Sequence, residues 1–163
     1  MLIGIMSDSH DNIWNLAKAL QKMKIRGVDA ILHCGDLASP FIVEHLDSEN
    51  VPVHIVFGNV ADRYLTEKMV EKARNVTLHG DMAELKMDNK KIAMVHDPEF
   101  GKALAKTKRY DIVFYGHTHI FKQEKVGKTL LVNPGEIMGR KAVPTFAIYN
   151  TENDTVEFIE IPH

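Results

Sequence analysis

The stretch Leu2-Ile3-Gly4-Ile5-Met6-Ser7-Asp8-Ser9-His10-Asp11-Asn12 decides how the rest of the chain is read. Residues 2–7 are short, apolar and bounded by polar residues, the pattern of a buried strand. Asp8 and His10 follow at once. Beyond them Ile13, Leu16, Ala17, Leu20 and Met23 recur at helical spacing, with Asn12 as N-cap and Gly27 as stop. The order strand, polar residue, helix then recurs. Residues 29–34 form a second apolar run ending at Gly35-Asp36. Ser39-Pro40 reads as an N-cap with proline at the first helical position, opening a helix to about residue 49. Residues 52–57 make a third strand ending at Gly58-Asn59, followed by a helix over 62–73.

The second half is richer in strands. Residues 82–87 and 91–95 flank Asp88-Asn89-Lys90, a hairpin turn. Asp97-Pro98-Glu99 opens a helix to about residue 108, with Asp97 as its cap. Residues 111–115 form a strand ending at Gly116-His117. Residues 121–126 and 129–132 flank Gly127-Lys128, and residues 144–149 and 155–161 pair around Asn150 to Asp154. Strand–helix units followed by hairpins fit an α/β fold of two sheets packed face to face with helices outside.

The composition sets bounds. A length of 163 residues with no linker, repeat or low-complexity tract reads as one domain, 1–163. A net charge of −2 supplies no global positive field, which argues against a stable nucleic-acid partner. The single cysteine, Cys34, rules out an intramolecular disulfide and a cysteine-rich zinc site, and suits a reducing compartment. The apolar run at the start is too short for a signal peptide or a membrane span, so a soluble, cytoplasmic protein without a membrane partner is expected.

Seven polar side chains sit just after these strands. Asp8 and His10 follow the first, Asp36 the second and Asn59 the third; His96 follows residues 91–95, and His117 and His119 follow residues 111–115. The carboxyl ends of strands are where open α/β sheets bind ligands. Four of the nine histidines belong to this set. Asp8-Ser9-His10 and His117-Thr118-His119 each space two ligands so that an extended backbone would point both to one side. Seven groups exceed what one ion takes from protein, so two divalent ions are expected, with Asp36 as the natural bridge. Carboxylate and imidazole without thiolate favour manganese first, with nickel, iron or zinc as alternatives. Two such ions outweigh two carboxylates, leaving a positive centre that attracts phosphate.

The order Asp8-x-His10, Gly35-Asp36, Gly58-Asn59, His96 and Gly116-His117-x-His119 resembles the calcineurin-like metallophosphoesterases, especially their small single-domain bacterial and archaeal phosphodiesterases. The likeness runs from Gly4 to Ile148 and includes the Asn133-Pro134-Gly135 turn. It implies a four-layer α/β/β/α sandwich of two mixed sheets with flanking helices. By the family's pattern one ion takes Asp8, His10, Asp36 and His119, and the other takes Asp36, Asn59, His96 and His117. Asp36, Asn59 and His96 are then the expected catalytic residues. The expected chemistry is hydrolysis of a small phosphodiester or phosphate ester by a hydroxide bridging ions about 3.5–4 Å apart.

Three positions depart from that pattern. The family continues Gly-Asn with histidine or cysteine, where this chain has Val60, a side chain that cannot transfer a proton. Asp97 replaces a common glycine, and Glu136 stands where the branch commonly has serine. None of the three is expected to touch a metal ligand.

Other residues have plainer readings. Asp62 caps its helix, while His33 and Cys34 finish a buried strand, with His33 close enough to Asp36 to meet substrate. His45, His54, His79 and His163 read as surface or structural, Arg140 and Lys141 as solvated, and Trp14 as core packing ahead of substrate stacking. Two competing functions stay open: a non-catalytic scaffold, since the resemblance extends to the retromer subunit of the same fold with its degraded metal site, and a phosphomonoesterase or nuclease. A homo-oligomer is compatible with everything above.

Overall fold

Alternation along β1 (Leu2–Met6) divides its side chains between two cores. Ile3 and Ile5 point toward a second sheet, while Met6 points toward helices. The structure is a computed structural model that describes residues 1–162; His163, read above as surface or structural, lies outside the described residues.

After β1 come α1 (Ile13–Ile25), β2 (Ala30–His33), α2 (Phe41–Asp47), β3 (Val53–Ile55), α3 (Arg63–Val70) and β4 (Val76–Leu78). The second half contains β5 (Met82–Met87), β6 (Lys90–Val95), α4 (Pro98–Lys106), β7 (Ile112–Phe114), β8 (Lys122–Val126), β9 (Thr129–Asn133), β10 (Thr145–Asn150) and β11 (Thr155–Glu160). The first sheet runs β11-β10-β1-β2-β3-β4, with β1 to β4 parallel and β10 and β11 antiparallel at one edge. The second runs β5-β6-β7-β9-β8, parallel through β6, β7 and β9 and antiparallel at both edges.

Both sheets are mixed, and the layers are those of an α/β/β/α sandwich. Ile3, Ile5, Leu32 and Val56 of the first sheet meet Ile92, Met94, Phe114 and Val132 of the second. Each fully buried side chain of this kind contributes about 1.5–3 kcal/mol relative to exposure. Helices α1 and α2 cover the outer face of the first sheet through Leu16, Met23, Ile42 and Leu46, and α3 packs there through partly buried Met69 and Val70. Helix α4 covers the second, where Ala105 packs on Ala93 and Val95, the alternate residues of β6. No described helix is long and apolar enough to cross a membrane.

The expected elements are present, with local corrections. Helix α1 buries Leu16, Ala19, Leu20 and Met23; Ala17 is exposed, one step off the buried stripe. Trp14 is also exposed rather than packed in the core, because its helical position faces outward. Ser39 does not cap α2. Its backbone N–H and hydroxyl both donate to Asp11, and Pro40 takes the cap position without a side-chain bond. The 82–95 hairpin turns on Asp88 and Asn89 alone, both at positive φ as a tight two-residue turn requires, and Lys90 pairs with Met87. Strand β4 was not anticipated. Asn12, Asp62 and Asp97 cap α1, α3 and α4 as expected.

Candidate metal centre

The carboxyl ends of β1, β2, β3, β6 and β7 deliver the seven anticipated side chains to one edge of the sandwich, in two overlapping groups. His10 Nε2 lies 3.3 Å from Asp36 Oδ2 and 3.9 Å from Asp8 Oδ1, and His119 Nε2 lies 3.3 Å from the same Asp8 oxygen. His96 Nε2 is 3.4 Å from Asp36 Oδ1 and 3.1 Å from Asn59 Oδ1, which is itself 2.8 Å from His117 Nδ1. Asp36 faces both groups. Asp8 and Asp36 are buried at the base, while Asn59 and His117 stand exposed at the mouth.

The backbone route to this convergence differs from the expected extended one. Asp8, His10, Asp36, His117 and His119 all lie in the left-handed region, with φ between 38° and 69°. A non-glycine residue there costs on the order of 1–3 kcal/mol, and such strain gathers at functional sites. Hydrogen bonds between the loops hold it: Asp8 N–H donates to Gly35 O at 3.0 Å, His10 N–H to Asp36 O at 3.1 Å, and His117 N–H to Asp8 Oδ2 at 3.0 Å. Glycine is required at two points by close approach. A Cβ on Gly58 would collide with the Asp36 carboxylate, and one on Gly116 with Ser7 and then Asp8 and His96.

The proton positions show what the cluster lacks. His96 Nδ1 faces the Cys34 carbonyl at 2.8 Å, an acceptor only, so Nδ1 carries the proton. Its bare Nε2 then confronts the oxygens of Asn59 and Asp36. His119 Nδ1 faces the Glu136 carboxylate at 2.6 Å, which leaves its Nε2 lone pair aimed at Asp8. Asp8 Oδ1 and His10 Nε2 are buried without a hydrogen-bond partner. His117 Nδ1 is the one ring nitrogen placed to donate, to Asn59 Oδ1 or to His96 Nε2 at 3.3 Å. The lone pairs left at Asp8, His10, Asp36 and His119 converge in a way that fits a cation. Asp8, His10 and His119 form one set able to hold a metal ion, and Asp8, Asp36 and His96 form another. Asp8 therefore reaches the second group as well as the first.

Protons compete for the same lone pairs. The Asp36 carboxylate, then that of Asp8, raises the pKa of His10 to about 9. Burial works against the charge of His96, but the Asp36 and Asp8 carboxylates outweigh it and raise that pKa too. Asp36 is held well below the usual carboxylate range by His10, His96 and the Val60 N–H, against the cost of burial. Burial instead lowers His33 to about 4.

A stability profile follows from the signs. Between pH 6.5 and about 9 the folded chelated protein holds a proton on His10 that the unfolded chain releases, so stability falls as pH rises. Between about 4 and 6.5 the unfolded chain binds a proton that buried His33 refuses, so stability falls as pH drops. Urea denaturation of the chelated protein should show greatest stability near pH 6.5. A profile rising steadily from pH 6.5 to 9 would contradict the His10 assignment.

Several contacts correct the sequence reading. His33 does not reach the mouth of the site; it is fully buried, with Nε2 3.0 Å from Ser9 Oγ and Nδ1 accepting from Gly35 N–H. Glu136 does touch an anticipated metal ligand, His119, and its other oxygen accepts from the N–H groups of Lys141 at 2.5 Å and Ala142 at 2.7 Å. Asn133 is a second unanticipated support, its amide donating to Gly116 O at 2.7 Å and Thr118 Oγ1 at 3.0 Å. The sequence signals near them were the Asn133-Pro134-Gly135 turn and the departure from the family's serine at Glu136, neither of which pointed to these contacts. His54 and His79 are half-buried and paired at 2.9 Å, away from the cluster, and Arg140 and Lys141 are exposed.

Known proteins resemble this chain in sequence and fold. The calcineurin-like phosphoesterase superfamily domain matches residues 1–154. A phosphodiesterase of Methanocaldococcus jannaschii is 31% identical over 156 residues, covering 93% of this chain and 94% of that protein. A solved structure described as a novel archaeal phosphodiesterase superposes with a TM-score of 0.91 at 30% identity, covering 98% of this chain and 99% of that one. Vps29 of Entamoeba histolytica, solved with zinc, has a TM-score of 0.70 at 19% identity, covering 99% of this chain and 100% of that one, a likeness of fold alone. With its fold, its strand-end polar side chains and these relatives in agreement, the chain belongs to the calcineurin-like phosphoesterase superfamily.

Proposed function

We propose that this protein is a binuclear metal-dependent phosphodiesterase acting on a small phosphodiester. The observation that carries the reading is the convergence of histidine ring nitrogens and carboxylate oxygens on two adjoining points, with Asp36 facing both and Asp8 common to both candidate sets. Asp8, His10, Asp36 and His119 would hold one divalent ion, and Asp36, Asn59, His96 and His117 the other, with manganese first and nickel, iron or zinc as alternatives. Such ions supply charge that draws a phosphate anion and lower the pKa of a bound water toward neutrality.

The chain's own residues orient that chemistry. Asp36 is fixed by the Val60 N–H at 2.7 Å, so its two oxygens stay divided between the two groups. His96 is locked by the Cys34 carbonyl and His119 by Glu136, each presenting one nitrogen. Exposed Asn59 and His117 stand where a substrate would enter. A small diester rather than nucleic acid suits the net charge of −2, and buried Cys34 suits a reducing cytoplasm.

The test is hydrolysis of model diesters and monoesters by chelated protein with each divalent metal restored in turn. Manganese should restore diester hydrolysis; no metal-dependent turnover on any ester would favour the scaffold reading, for which exposed Trp14 and Phe121 offer apolar surface. A second outcome follows from Val60. Without a general acid there, worth about 10²–10⁴ in rate, rates across a series of aryl diesters should climb steeply with leaving-group acidity. A flat series would mean another residue protonates the leaving oxygen.

A further inference from the structure

A cleft of about 290 Å³ opens beside the site, sharing Asn59, His96 and His117 as one wall and lined on the other side by Phe57, Arg63 and Phe100. Phe57 ends the β3 segment, where its N–H donates to Gly80 O at 2.7 Å, and it is nearly buried. The Arg63 guanidinium lies over its ring, 4.5 Å from the centroid. Phe100 sits in the first turn of α4, held by its N–H bond to Asp97 Oδ1 at 2.7 Å, yet 45% of it is exposed. Phe100 therefore presents an apolar face to the cleft, and a ligand seated there would remove that face from water.

One charge pair in this cleft is satisfied within it. Arg63 Nη2 binds Asp81 Oδ1 at 2.5 Å, so its cation is neutralised at the edge while one face rests on Phe57. Asp97 is occupied as the α4 cap. The Asp97 carboxylate disfavours an anionic substituent, so what the cleft offers is aromatic surface for a flat group without negative charge.

We infer that this cleft is a subsite for one ester substituent of the phosphate, and that the substituent is a planar, uncharged aromatic group. The inference rests on the phosphoesterase reading, since the phosphate itself is placed by the metal centre. Phe100 is the specificity-determining residue, and the stacked Phe57–Arg63 pair is the floor.

The test is calorimetric binding to the manganese-loaded protein of two matched pairs of phosphate monoesters, methyl against phenyl phosphate and ribose 5-phosphate against adenosine 5′-monophosphate. An aromatic contact of this kind should favour the aromatic member by up to about tenfold. Phe100→Ala should bring that ratio toward one, and Phe100→Trp should keep or raise it. A preference in the first pair identifies a simple aryl group, and one confined to the second identifies a nucleobase. Equal affinities within both pairs, or a preference that Phe100→Ala leaves intact, would overturn the subsite while leaving the phosphoesterase reading standing. If none of the four binds, the subsite falls, while the phosphoesterase reading is decided separately by metal-restored hydrolysis of diesters.

Discussion

Replacing Asp36 with alanine is expected to lower manganese-dependent diester hydrolysis by at least about a thousandfold, the equivalent of several kcal/mol of charge stabilisation at 1.36 kcal/mol per tenfold. Among the seven anticipated ligands, only Asp36 lies within 3.4 Å of a histidine ring nitrogen from each group. Losing it removes an oxygen from both. The fold should survive, because the side chain's remaining bond is the single one from Val60 N–H and the cores lie on either side of the sheet. A second measurement separates lost metal from lost structure. Metal that binds only the folded state raises the melting temperature in proportion to RT ln(1 + [metal]/Kd). Wild-type protein should melt higher with added manganese, while the variant should melt cooperatively at a temperature that manganese no longer moves. Wild-type turnover by Asp36→Ala would refute the assignment.

Most of this site was legible because its residues occupy chain positions with strong local signals. Asp8, Asp36, Asn59, His96 and His117 each follow an apolar run, and an apolar run ending in a polar residue marks a strand's carboxyl end whatever the tertiary structure. The layer order was legible for a related reason: β6 alternates Ile92 and Met94 toward one core with Ala93 and Val95 toward another. Backbone conformation was far less legible. Asp8-Ser9-His10 gives only a weak signal of left-handed residues: aspartate and histidine visit that region more often than most side chains, and long-range bonds such as His117 N–H to Asp8 Oδ2 hold them in it here. Strand β4 was hidden by its length of three residues and its place at the sheet edge, where only β3 supports it. The Ser39 reading failed through competition: Asp11, 28 residues earlier, takes the hydroxyl that a local rule assigns to the helix. Glu136 was hidden for the same reason, because its partners are set by folding and not by spacing.

That glutamate carries the second large expectation. Glu136 is fully buried and meets donors on both sides: His119 N–H on Oε2, and the N–H groups of Lys141 and Ala142 on Oε1. Only a carboxylate accepts at both ends. In Glu136→Gln the amide oxygen can serve one side, and the amide NH₂ must face the other. Two backbone donors outnumber one imidazole, so the oxygen should stay with Lys141 and Ala142 and the NH₂ should point at His119 Nδ1. That nitrogen must then accept, which moves the proton to Nε2, the atom 3.3 Å from Asp8 Oδ1. One lone pair of the metal centre disappears although no ligand has been replaced. Manganese affinity should fall by about 10–100-fold, the usual cost of losing such a supporting partner, and nitrogen NMR of the chelated variant should show His119 protonated at Nε2 in place of Nδ1. Unchanged affinity with the proton still on Nδ1 would show that Glu136 serves only to anchor the 137–142 loop.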